Sequence, residues 1–196
     1  MDAIAFFLSR YNDLHGGLVD GLFSKLSEAQ LRGRPHPGVN TVAWLLWHSA
    51  RIEDVGVNRF LSDRPQALDE GWLERLRAGR RDVGTGMSDA EVDELSLRIN
   101  LEALRGYWEA VTTRTLAVVE ALKGTDLEAM VPGEHVRSVV LAEGVVAPGA
   151  EWLTEFWAGG GGRSRAWVLA QMGLLHPYGH YYEARVASGL WGVRSP

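Results

Sequence analysis

Apolar residues recur at helical intervals in four stretches of the chain, and polar or glycine-containing segments separate them. Ile4, Phe7, Leu8, Tyr11, Leu14, Leu18, Leu22 and Leu26 predict a first helix over residues 2–25. Gly16-Gly17 falls in its middle, where each glycine costs about 1 kcal/mol relative to alanine, so a kink or a close helix contact is expected there. Ser27-Glu28-Ala29-Gln30 has the pattern of a capping box and predicts a short extra turn. Asn40 or Thr41 then caps a second helix over residues 41–62. On it Thr41, Trp44, Leu45, His48, Ile52, Val55 and Arg59 lie within about 60° of one meridian, which places His48 in an apolar, core-facing stripe.

A second capping box, Ser88-Asp89-Ala90-Glu91, opens a third helix predicted over residues 89–122, with Gly124 as its stop. Ser164 caps a last helix over residues 165–188, stopped by Gly189. Between these helices the signals change. Prolines exclude Arg34-Pro35-His36-Pro37-Gly38 from any helix interior. Residues 63–87 are polar, with a short helix expected near Trp72–Leu76. Residues 124–163 read as a long irregular connection whose four glycines, Gly159–Gly162, suggest a flexible tether. Trp152 and Trp157 within it are candidates to line a pocket. No strand run and no internal repeat appears. The pattern therefore predicts an all-α four-helix bundle, in one domain over residues 1–196.

Composition narrows the function. A net charge of −5 and the lack of a basic run argue against a nucleic-acid surface. No stretch approaches the ~18 apolar residues of a membrane span, and the amino terminus has no secretion-signal pattern, so a cytoplasmic protein without a membrane partner is expected. There is no cysteine, which removes disulfides, thiolate ligands and a protein thiol nucleophile.

The candidate chemistry lies in histidine. His176 and His180 sit four residues apart in the last helix, about 40° apart around its axis and about one turn apart along it, so both rings can reach one ion. His48 is the third core-facing histidine. Three imidazoles with an open position describe a catalytic rather than a structural metal site, and nitrogen donors suit zinc, nickel, copper or iron(II) without choosing among them. Glu183 falls between the pair in helical angle, where it can orient His180 or act as a base; a surface pairing with Arg185 is the plainer alternative. Pro177 removes the helical bond to the Gly173 carbonyl and should bend or open that turn. His36 and His135 read as solvated loop residues, and His15 as structural, with lining of the cavity as the alternative. No Glu precedes a His by three residues, so the pattern gives a carboxylate-bridged di-iron bundle little support; no nucleophile elbow or phosphate loop is present.

The segment Leu31–His48, LRGRPHPGVNTVAWLLWH, together with His176-x-x-x-His180 and the tail Leu190-Trp191-Gly192, resembles the DinB/YfiT-like family over nearly the whole chain. That resemblance implies an up-down-down-up four-helix bundle, commonly a homodimer. It implies a divalent metal on His48, His176 and His180. It also implies a small-molecule substrate, since relatives include S-transferases and isomerases that use mycothiol, bacillithiol or glutathione, with metal hydrolases a related case. The expected function is a metal-dependent enzyme in which the ion activates a small thiol cosubstrate or water, with Trp44, Tyr178 and the tryptophans of the 131–163 segment as pocket walls. A noncatalytic metal-binding stress-response or interaction protein is the competing expectation, and a metal-free helical dimer the plainest one.

Overall fold

Outside the 124–163 segment, each helix starts where a short polar side chain can take up a free amide. In the computed structural model, which describes residues 2–193, the Asp2 carboxylate accepts from the Ala5 amide at 2.7 Å and starts α1 (residues 3–25). The disturbance expected at Gly16-Gly17 takes the form of one π turn, Leu14–Leu18, between the α-helical parts Ala3–Asp13 and Val19–Lys25. The predicted capping box at Ser27 forms and starts α2 (Glu28–Arg32). Thr41, not Asn40, caps α3 (residues 42–61), its hydroxyl accepting from the Trp44 amide at 3.3 Å. The helix runs as α-helix over Val42–Glu53 and as π-helix over Asp54–Leu61.

All residues of Val42–Glu53 are buried, so this part of α3 is surrounded on every side. It packs on the helical stretches over residues 165–190 and 101–122, and also meets α2 and the helix over residues 89–98. The short α4 (Glu70–Leu76) forms where it was expected, capped by Asp69.

The third predicted helix is in fact two, α5 (Asp89–Arg98) and α6 (Leu101–Leu122). Ile99 takes an extended ψ of 137°, and Asn100 caps the new helix by accepting from the Ala103 amide at 3.1 Å. The Asn100 amide donates to the Leu76 carbonyl at 3.0 Å instead of to its own helix. The break thus rests on a cap and a tertiary bond, neither visible as a change in hydrophobic period.

The connection expected to be irregular is a folded insertion. β1 (Met130–Pro132) pairs antiparallel with β2 (Gly162–Ser164), and α7 (Gly133–Glu143) and α8 (Trp152–Ala158) lie between them. Val136, Val139, Leu153 and Trp157 form its apolar core together with Phe60 of α3 and Met172. The glycine run is a turn, not a tether: Gly159, at φ 56°, ends α8 in the left-handed region and sends the chain back into β2.

Ser164 caps α9 (residues 165–190), which continues one residue past the expected stop, Gly189. Arg165–Ala170 and His176–Leu190 are joined by a π turn, Gln171–Leu175, in which the His176 amide bonds the Gln171 carbonyl. This is the opening expected from Pro177, which sits in the first turn of the resumed α-helix, where a missing amide costs little. Helix makes up 68% of the residues and strand 3%, so the chain is all-α. The long helices are α1, α3, α6 and α9.

Candidate metal centre

α3 and α9 pack directly on each other and bring the three core-facing histidines together. Ligand-capable nitrogens of His48, His176 and His180 all lie within 4.8 Å of one another. The His48 and His176 Nε2 atoms are 3.2 Å apart. The rings are steeply inclined to one another, at 59° for His48–His176, 80° for His48–His180 and 71° for His176–His180, so they meet edge-on instead of stacking.

Two of the imidazoles are locked from behind. His48 Nδ1 lies 2.5 Å from the Val83 carbonyl, which can only accept, so Nδ1 carries the proton and Nε2 presents its lone pair. The Val83 amide in turn donates to the Val145 carbonyl at 2.9 Å, which fastens this loop to the insertion. His180 Nδ1 lies 2.9 Å from the Glu183 carboxylate, whose other oxygen accepts from Asn40 at 2.8 Å. His176 Nδ1 is buried with no hydrogen-bond partner among the described residues. Trp44 stacks on His48 with 4.6 Å between ring centres and meets His180 edge-on.

Burial, followed by the nearby His180, lowers the His48 pKa to about 3. Burial also drives His176 well below its ordinary value, and His48 and His180 add to the shift. Burial works to raise the Glu183 carboxyl, but the hydrogen bonds from His180 and Asn40 outweigh it and leave the group below its usual value. At neutral pH the centre therefore holds two neutral buried imidazoles beside a carboxylate. Neutral imidazole is the ligating form, and a carboxylate or carbonyl on the far nitrogen is the usual support of a ligating histidine. The donor set fits a divalent ion.

Of the proposed pocket walls, Trp44 is at the histidines. Tyr178 turns to α1 and donates to the Arg10 carbonyl at 2.9 Å. Trp157 is buried against Phe60, and Trp152 is 60% exposed on the insertion. His36 is exposed, and His135 lies 3.9 Å from Asp63 near the surface. His15 is buried, away from the cluster, against Glu53 and Thr112. Val83 and Met87, which accepts from the Trp44 indole at 3.3 Å, were invisible to helical periodicity because both lie in the 77–88 loop. Asn40 was noticed only as a cap.

The profile of the DinB superfamily matches residues 13–184, a span that includes all three histidines and Glu183. The chain belongs to the DinB superfamily. A crystal structure of a conserved protein from Enterococcus faecalis superposes on this DinB-superfamily chain with a TM-score of 0.64, covering 96% of this chain and 99% of that one. At 17% identity it shows a shared fold. No curated protein sequence matches the chain. Membership and the three-histidine group together suggest metal binding.

Proposed function

We propose that His48, His176 and His180 hold a divalent metal ion and that the protein is a metal-dependent enzyme acting on a small molecule with a thiol cosubstrate or water. The observation that carries this reading is the pair of rear anchors: Val83 on His48 and Glu183 on His180 fix each Nδ1 as a donor, leaving Nε2 free to ligate. When bound, such an ion supplies Lewis acidity, lowering the pKa of a thiol or water that reaches it. The protein's own residues do the rest. Glu183 holds His180 in register and keeps its negative charge beside the site. Trp44 covers His48 and excludes water from that side. Because the chain has no cysteine, a thiol nucleophile arrives with a cosubstrate.

Imidazole donors leave zinc, nickel and iron(II) as candidates, and elemental analysis of protein purified under metal-replete conditions identifies the ion. Titration of the cobalt(II)-loaded protein with mycothiol, bacillithiol and glutathione in parallel then tests the chemistry. A change in the cobalt spectrum with one thiol supports the transferase reading. A spectrum indifferent to all three thiols and to azide supports the noncatalytic one. The proposed assembly is a cytoplasmic homodimer. Its apolar face would be the exposed Leu175, Tyr182, Val186 and Leu190, which lie on one side of α9. Light scattering should give the mass of two chains, falling to one in Val186→Glu.

A further inference from the structure

Five residues after His48, and about 140° around α3, a second polar group is buried on the side facing α1 and α6. Glu53 is fully buried, and the residues within reach of its carboxylate include no lysine or arginine. One oxygen accepts from the Tyr11 and Thr115 hydroxyls, the latter at 2.7 Å. The other lies 3.2 Å from His15 Nε2, in contact without a regular hydrogen bond. His15 Nδ1 lies 2.7 Å from the Thr112 hydroxyl. The imidazole is held between Tyr11, 4.0 Å away between ring centres, and Trp108, 4.8 Å away. It sits in the π turn of α1, and such turns are frequent at functional sites.

The proton positions follow. Burial, and then the charge of Glu53, push the Tyr11 phenol well above its ordinary value, so Tyr11 stays a donor and the carboxylate an acceptor. A carboxylate facing Nε2 favours the proton there, which leaves Nδ1 to accept from Thr112. Thr112 and His15 line a cavity of about 430 Å³ whose other walls include Val19, Phe23 and Trp108. Arg105, at the same cavity, pairs with Asp20 at 3.1 Å across α1 and α6.

The geometry points to Thr112 as an activated hydroxyl, with His15 as its base and Glu53 as a positioning residue, in a second site that accepts acyl groups from small aryl or alkyl esters. A hydroxyl within hydrogen-bond reach of an imidazole, with a carboxylate 3.2 Å from the imidazole's far nitrogen, has the elements that nucleophilic catalysis uses. In the step, Thr112 Oγ1 bonds to the ester carbonyl carbon and its proton passes to His15 Nδ1. The bond to the leaving oxygen breaks, and that oxygen leaves with the electron pair and takes the proton from His15. The Val19, Phe23 and Trp108 part of the wall suits the apolar portion of a small ester. This site is independent of the three-histidine centre.

The test is to incubate the purified protein with p-nitrophenyl acetate, follow nitrophenolate release, and map the acetyl group by mass spectrometry. Wild type and Thr112→Ser should carry acetyl on residue 112, and Thr112→Val should not. His15→Gln should slow acylation about 100-fold. Glu53→Gln should lower the maximal rate about tenfold and leave the half-saturating ester concentration unchanged. A metal chelator should change none of this. Acetyl found only at other residues, equal rates in Thr112→Val, or indifference to His15→Gln would overturn the assignment. Should either buried variant fail to fold by circular dichroism, the Thr112→Val and Thr112→Ser pair decides alone.

Discussion

Two polar groups lie on α3 six residues apart, and they differ in how completely they are satisfied. At Asp54 both carboxylate oxygens are fully used: one accepts from Asn58 and from the Ala67 amide at 2.7 Å, the other from Tyr107 at 2.6 Å, the Leu68 amide at 3.0 Å and Arg51. At His48 the rear nitrogen is used and the front one faces another imidazole nitrogen at 3.2 Å. The bonds to Asp54 tie α3 to α6 and to the loop before α4. The His48 Nε2 lone pair, which faces the His176 ring nitrogen, ties no loop in place and is available to an electrophile. Burial alone does not separate these roles, since Asp54 and His48 are both buried. The count of partners does.

The sharpest way to break this contrast is Asp54→Ala. It strands a buried guanidinium and two amides, and urea denaturation should show a loss of about 3–5 kcal/mol. His180→Ala should behave oppositely. The metal-free protein should stay within about 1 kcal/mol of wild type, while metal affinity falls more than about 100-fold, equivalent to about 2.7 kcal/mol, by competition with a chelator. Comparable stability losses in the two variants would remove the distinction. Glu183→Gln keeps a hydrogen-bonding group beside His180 but removes the charge, and metal affinity should fall about 10- to 100-fold with the fold intact.

The contrast also predicts acid sensitivity. The folded pKa of His48, about 3, lies below the ordinary 6.5, so the unfolded chain takes up the proton first. The stability of the metal-free protein should be complete above about pH 6.5 and decline as the pH falls toward about 3, with this histidine contributing up to about 1.4 kcal/mol per pH unit. His48→Gln should flatten that acid limb, and an unchanged slope would mean that His48 is not held neutral.

Much of this protein is written in local patterns. Helical period and capping residues located the four bundle stretches, because an apolar face and a satisfied first turn are properties of neighbouring residues. They also placed His48, His176 and His180 on core-facing positions, and Pro177 marked the turn that opens. Where long-range bonds decide, the local pattern fell short. The break at Ile99–Asn100 depends on the Leu76 carbonyl, so one predicted helix became two. The 124–163 segment looked irregular because its short helices gain stability only by closing β1 on β2 and packing against Phe60 and Met172. Trp157 was drawn into that packing and away from any pocket wall at the histidines.

The sequence by itself therefore determined which residues could ligate an ion and which helices carry them, through spacing and apolar register. Only the tertiary structure decided that their nitrogens converge, that Val83 and Glu183 fix the tautomers, and that Asn40 holds Glu183. The physical reason is that a tautomer is set by whatever lies behind the ring. Behind His48 that is a loop carbonyl thirty-five residues away in the chain, and behind Glu183 an amide 143 residues away.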